Sequence, residues 1–183
     1  MLKLYPLKQK KRSYFCKNRN FNNKKNTMTL NEAQKKLEHF CAYQERCHDE
    51  VLKKLQSLRM TSGECDLIIV KLIADNYLNE SRFACSFARG KHRIKYWGKN
   101  RIVNELKARY ITAPNIKLAL QEIEEDEYLD TLEMLATKHW QSINEKNLIK
   151  KRKKFCDFLL RKGYESHLVY EKLKYLESTD GKK

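Results

Sequence analysis

Glycine and proline are scarce: five Gly and two Pro in 183 residues, with no Pro between Pro6 and Pro114. A chain so poor in helix breakers, and rich in Leu, Lys, Glu, Arg and Ala, is expected to be helical throughout. Strands find no support. Nowhere do the ~18 consecutive apolar residues of a membrane span occur, so no membrane role is expected. The basic N-terminal stretch also lacks the apolar core of a secretory signal. Six cysteines (Cys16, Cys41, Cys47, Cys65, Cys85, Cys156) fall at irregular intervals without a C-x-x-C pair. That pattern fits free thiols in a reducing cytoplasm rather than disulfides or a structural zinc site. Glycine-rich phosphate loops are missing, and the five histidines form no nucleophile–base arrangement. Catalysis, a cofactor, a metal and a small-molecule substrate are therefore not expected.

Positive charge is what the chain has in excess. Lys and Arg total 39 against 23 Asp and Glu, a formal charge of +16. Such a surplus favours nucleic acid, anionic lipid or acidic protein surfaces as partners. The first 28 residues carry nine basic residues and no acid, without regular apolar period, and read as a disordered basic arm. Met28 stands immediately before Thr29-Leu-Asn-Glu32, a Ser/Thr-x-x-Glu capping box that opens a helix. Met28 as the true start, with the arm a misassigned extension, is one expectation from this; a full-length mass of the native protein would contradict it.

An internal repeat is the most informative pattern. From Val51, steps of 4, 14, 18 and 21 residues reach Leu55, Cys65, Ile69 and Leu72. The same steps from Ile102 reach Leu106, Ile116, Leu120 and Ile123, and from Phe155 they reach Leu159, Val169, Leu173 and Leu176. Fifteen apolar positions thus match at periods of 51 and 53 residues. Repeats of this length are stacked supersecondary units, each too small to bury its own apolar face. Within a unit the spacings are helical, with a turn between the second and third positions. Thr112 suits a helix N-cap with Pro114 in the first turn, and Gly163 suits a left-handed helix terminator. A further helix precedes each pair, over about 30–43, 80–95 and 126–143, with Asn76 and Gly98 as breaks around the middle unit. The fold class is all-α: three tandem three-helix repeats forming an elongated, curved array. Expected divisions are an arm 1–28, repeats 29–78, 79–125 and 126–178, and a tail 179–183.

In the middle unit Arg82-Phe83-Ala84 opens a helix, Arg89 follows, and a basic stretch leads to Gly98, Arg101-Ile102-x-x-Glu105-Leu106 and Ile111. This pattern resembles the signature of the bacterial RecX family, regulatory proteins of the RecA recombinase. Cys41-x-x-Gln44-Glu45-Arg46-Cys47-x-x-Glu50-Val51 with Leu55 is similar to the family's first repeat. Asn76-Tyr77-Leu78-Asn79-Glu80 resembles its Gly-Tyr-Leu-Asp-Asp bridge, and Phe155-x-x-Phe158-Leu159-x-x-Lys162-Gly163-Tyr164 its third repeat. The resemblance covers about residues 30–176. Two positions depart from it: Arg109-Tyr110-Ile111 stands where the family has Lys-Gly-Ile, and Asn76 replaces the bridge glycine. Both call for a helix-terminating residue, a conformation that Asn tolerates better than Tyr.

The resemblance implies a fold of three three-helix repeats. It also implies a non-enzymatic regulator that binds RecA, lies along its nucleoprotein filament, and limits filament growth, ATP hydrolysis and strand exchange in DNA repair and the SOS response. A monomer is expected. The contact surface is expected at Arg82, Arg89, Lys91, Arg93, Lys95, Lys99, Arg101 and Arg109, eight basic residues within 28 positions, interleaved with Tyr96 and Trp97. Such a group can neutralise phosphate and stack on unpaired bases; otherwise it is a solvated helix face with Trp97 packed in the core. Lys150, Lys151, Arg152, Lys153 and Lys154 form a secondary candidate. The acidic run Glu122, Glu124, Glu125, Asp126, Glu127, Asp130 and Glu133 fits the first turn of a following helix better than a metal site, and could meet a basic surface on a protein partner. A general nucleic-acid-binding helical-repeat protein, holding single- or double-stranded DNA without RecA, is the competing reading.

Overall fold

A computed structural model describes residues 28–180. The arm, apart from Met28, and the last three residues of the tail lie outside the described residues. Within them are nine α-helices and no strand: α1 (Leu30–Tyr43), α2 (His48–Ser57), α3 (Ser62–Ala74), α4 (Glu80–Lys95), α5 (Lys99–Ala108), α6 (Ala113–Gln121), α7 (Glu125–Ser142), α8 (Leu148–Lys162) and α9 (Ser166–Asp180). The architecture is an all-α series of three-helix units. The helix expected from 126 begins one residue earlier.

Burial explains the repeat. Thirteen of the fifteen template positions are buried, and the other two, Leu120 and Leu173, are half-buried against the same core. Local chemistry sets the helix ends. Thr29 Oγ1 accepts the Glu32 amide while the Glu32 carboxylate accepts the Thr29 amide at 2.8 Å, closing the capping box. Thr61 and Glu64 repeat the arrangement at α3. At α6, Glu80 on a different helix does the capping: its carboxylate accepts the Thr112 amide at 2.7 Å, the Thr112 hydroxyl at 2.8 Å and the Asn115 side-chain amide at 2.9 Å. Burial alone would raise the Glu80 carboxyl, but these donors hold it below its ordinary value.

Each repeat ends its second helix on a left-handed residue eight positions after the first template residue: Arg59 (φ 60°), Tyr110 (φ 61°) and Gly163 (φ 95°). The turn is imposed by the repeat, since Arg and Tyr adopt this conformation only against a steric cost. Asn76 (φ 59°) closes α3 in the same way. The α4–α5 break spans residues 96–98 and so includes Gly98, as expected. Its left-handed residue is Tyr96 (φ 54°), whereas Gly98 has φ −75° and is small for another reason.

That reason is the docking of repeats 2 and 3. A Cβ on Gly98 would lie 2.3 Å from the carbonyl of Gly163, and one on Gly163 would lie 2.3 Å from Arg101 Cβ. Two glycines therefore let backbone touch backbone. The free amides at the start of α5 find acceptors across this junction: Gly98 N–H donates to the Lys162 carbonyl at 2.9 Å and Asn100 N–H to the Gly163 carbonyl at 3.1 Å. Lys99 N–H donates to the Tyr128 hydroxyl at 3.2 Å, and that hydroxyl donates to Glu165. The C-terminus of α8 thus caps the N-terminus of α5, satisfying orphan groups of both helices. Burial first, then its bond to Glu165, pushes the Tyr128 hydroxyl well above the ordinary phenol range, keeping it a donor.

The core has two parts. Repeat 1 has its own, around Leu37, Val51, Leu55, Ile68 and Leu72. Repeats 2 and 3 share a continuous one, from Phe83 and Ile102 through Tyr128 and Trp140 to Phe155 and Leu176. Cys47, in the α1–α2 connection, is buried in the second core and so ties repeat 1 to it. Cys41, Cys65 and Cys156 are also buried and Cys85 half-buried, all as free thiols. Desolvation raises the thiols of all five described cysteines, to about 11 for Cys41.

Candidate functional site

The eight basic candidates sort into groups once placed on the fold. Arg82, Arg89 and Arg93 share one face of α4 at spacings of seven and four residues, and each meets a carboxylate from another element. Arg82 pairs with Glu45 in the connection after α1 and also donates to the Asn76 carbonyl at 2.8 Å. Arg89 pairs with Glu122 at 2.8 Å, and Arg93 holds both oxygens of Glu127 at 2.9 and 3.1 Å. Lys99, at the start of α5, pairs with Glu125, and its ammonium lies 4.4 Å from the Tyr128 ring centroid. Three members of the acidic run, Glu122, Glu125 and Glu127, are therefore partners of three members of the basic stretch. Three of these pairs cross repeat boundaries: Arg82–Glu45, Arg93–Glu127 and Lys99–Glu125. A ladder of this kind fixes orientation between modules more than it adds net stability, because exposed pairs gain little in water.

Three of the remaining four candidates lie around two aromatic rings. Arg109 pairs with Glu105 at 2.7 Å and sits 5.0 Å from the Phe87 centroid. Lys91 lies 5.2 Å from Phe87 and 5.3 Å from Trp97, and the Arg101 guanidinium covers Trp97 at 4.1 Å. Phe87 and Trp97 meet edge to face at 6.4 Å. Trp97 is half-buried and fixed through its carbonyl, 3.1 Å from Nδ1 of the buried His92. Tyr96 beside it is exposed. The Lys95 side chain makes no hydrogen bond or ion pair within the described residues.

Lys162 joins this group from repeat 3, although sequence reasoning did not single it out. Its ammonium donates to the Lys95 carbonyl at 2.9 Å, while Arg101 reaches the opposite way to the Arg161 carbonyl at 3.1 Å. Burial lowers the Lys162 ammonium below its ordinary value, and the charges of Arg101 and Lys95 lower it further. Lys95, Arg101 and Lys162 are thus close enough to repel one another. With Lys91, they form a cluster of four cations beside Trp97 and Tyr96, with no carboxylate paired to any of them among the described residues. Crowded like charges of this sort are relieved by a bound anion. Only the repeat offset, aligning the end of α8 with that of α5, could have hinted at the approach of Lys162.

The secondary basic run is split by the fold. Arg152 pairs with Glu177, and Lys154 with Glu145 at 2.9 Å. The Lys151 ammonium lies 3.9 Å from the Trp140 centroid. The Lys150 and Lys153 side chains are exposed, with no ion pair or side-chain hydrogen bond among the described residues. Within the acidic run, Glu133 pairs with Lys172 of α9. No group of three or more His, Cys, Asp or Glu among the described residues is placed to hold a metal ion. No described helix is long and apolar enough to cross a membrane.

Fold and site together define an all-α protein of stacked three-helix modules whose outstanding surface feature is a cation cluster at a module junction. The family model described as "RecX, second three-helix domain" matches residues 79–120, and the one described as "RecX, third three-helix domain" matches residues 125–173. The chain belongs to the RecX family. It is 26% identical over 130 residues to Regulatory protein RecX of Bacillus cytotoxicus, covering 71% of this chain and 48% of that one. To the protein of the same name in Oceanobacillus iheyensis it is 24% identical over 152 residues, covering 83% and 56%. The chain therefore spans about half the length of these curated relatives. Two solved structures share the fold. A crystal structure of regulatory protein RecX superposes with a TM-score of 0.70 at 22% identity, covering 79% of this chain and 72% of that one. RecX from Lactobacillus salivarius gives 0.68 at 23% identity, covering 81% and 96%.

Proposed function

We propose that this chain is a non-enzymatic, cytoplasmic regulator that binds the RecA nucleoprotein filament and restrains its growth, ATP hydrolysis and strand exchange. Family membership supports the regulatory class. The observation that carries the contact surface is the cluster of Lys95, Arg101 and Lys162, with Lys91 and Arg101 against Trp97. These side chains keep their charge unpaired by carboxylates, while Arg82, Arg93 and Lys99 are engaged in pairs between modules and Arg89 in a pair within repeat 2. Phosphate oxygens of filament DNA, or acidic side chains of RecA itself, are ligands that such a cluster suits. Tyr96, exposed beside it, can stack on an unpaired base. In this reading the paired arginines have a positioning role, and their loss weakens binding by disturbing the relation between repeats.

Exposed Lys150 and Lys153 favour a second reading, a protein that holds DNA alone through scattered phosphate contacts. Co-sedimentation with RecA filaments and, separately, with bare single-stranded DNA at equal ionic strength tests the first against the second. Preferential capture by the filament, reduced about tenfold by joint Lys91→Ala and Lys95→Ala substitution, supports the regulator. Equal capture by both would make the plain DNA binder the better account.

A further inference from the structure

Among the exposed apolar features, two are used by neither the core nor the cation cluster and differ between repeats. On α3, Leu67, Val70 and Ile73 are 63%, 66% and 51% exposed. They recur every three residues and so form a stripe along one helix face. The repeat supplies its own comparison. The corresponding positions are Leu118, Gln121 and Glu124 in repeat 2, and Glu171, Lys174 and Glu177 in repeat 3. Five of these six positions carry polar residues, so the stripe of repeat 1 is not a packing requirement of this fold. Asp66, exposed on the same face, gives it negative charge.

The second feature is an overhang at the other end of the chain. Helices α2 and α5 begin three residues before the first template position, at His48 and Lys99, whereas α8 begins seven before it, at Leu148. The added turn carries Leu148 and Ile149, 49% and 74% exposed. Around Ile149 stand Lys150 and Lys153, whose charges are unpaired among the described residues. An apolar stripe with an acid thus lies on the first repeat, and an apolar knob with lysines lies on the third.

We propose that copies of this chain associate head to tail, the α8 overhang of one copy seating on the α3 stripe of the next, with Lys153 or Lys150 facing Asp66. The two surfaces complement each other in charge and apolar character, and they belong to different repeats. The contact is therefore heterologous and leaves a free surface at each end for further copies. A chain of +16 resists contact between two basic faces, so the acid-bearing stripe is the surface a lysine-rich turn fits. So few side chains cannot bury the ~1,200 Å² of a stable specific interface. Dilute protein is then monomeric, and association grows with concentration or where copies share a scaffold. This goes beyond the regulatory reading and does not depend on it.

Sedimentation velocity of the full chain across a wide concentration range tests the inference, with Val70→Lys and Ile149→Lys as variants. Both positions are exposed, and unchanged helicity by circular dichroism verifies that the variants fold. Wild type is expected to show a sedimentation coefficient that rises with concentration, and each variant to weaken association about tenfold or more. An equimolar mixture of the two variants keeps one intact stripe and one intact overhang. It should recover a dimer and go no further. Three results would overturn the inference: no concentration dependence in wild type, loss in Val70→Lys but not in Ile149→Lys, or no recovery on mixing. The second would indicate stripe-to-stripe pairing of two α3 helices.

Discussion

Gly98→Ala is the substitution through which the docking of repeats 2 and 3 is most directly felt. The added Cβ would stand 2.3 Å from the carbonyl carbon and oxygen of Gly163 and 2.4 Å from the Tyr164 amide nitrogen. These are backbone atoms, which no rotamer change can move aside, so the junction must open by about 1 Å to restore ordinary contact. Opening strains the shared core, at about 1–3 kcal/mol. It also breaks the bonds from Gly98 to Lys162 and from Asn100 to Gly163, each worth about 1 kcal/mol net. A smaller chain entropy in the unfolded state returns about 0.5–1 kcal/mol. The expected net loss is about 2–4 kcal/mol, read as a fall of about 1–2 M in the urea midpoint. Gly90→Ala is the control. No heavy atom lies within 4 Å of its added Cβ, and it sits inside α4, so a gain of about 0.5–1 kcal/mol is expected. A Gly98→Ala midpoint at or above that of wild type would refute the junction as described.

Tyr110→Gly should stabilise the protein by about 1 kcal/mol in thermal or urea unfolding, because the left-handed backbone persists while an exposed ring is lost. Glu80→Gln should cost about 1 kcal/mol at neutral pH, the capped helix end being partly open to solvent. The Glu80 carboxyl is held below its ordinary 4.5, so its contribution is complete above that value and is lost as pH falls through the depressed one. The acid limb of the stability profile should accordingly be shallower in Glu80→Gln than in wild type. Joint replacement of Lys91, Lys95 and Lys162 by Ala should reduce the salt slope of single-stranded DNA binding by about 2, measured by fluorescence anisotropy. An unchanged slope would mean that these lysines do not contact phosphate.

The helices were legible because a fifteen-position apolar template repeats without a gap, and a period of that kind leaves little freedom in where helices start and turn. Expected first helices at 30–43 and 80–95 match α1 and α4. The left-handed turn at Tyr110 could be inferred from repeat position, never from the residue itself. The ion-pair ladder was hidden for a different reason. Arg89–Glu122, Arg93–Glu127 and Lys99–Glu125 span 26 to 34 residues of sequence. Basic and acidic runs look like separate surfaces until the turn between α6 and α7 brings them together. Lys162 is further still, 67 residues from Lys95 in sequence, and nothing local marks it as a member of the cluster. Gly98 could be read as a break, but its role in backbone contact with Gly163 is visible only in three dimensions.

The most direct test of the regulatory role is RecA ATPase activity on single-stranded DNA with this protein titrated in. Inhibition well below one copy per RecA, retained when DNA is in excess and reduced by joint Lys91→Ala and Lys95→Ala substitution, is the predicted result. Inhibition only once the protein saturates the DNA, unaffected by that substitution, would contradict it and leave simple competition for the strand.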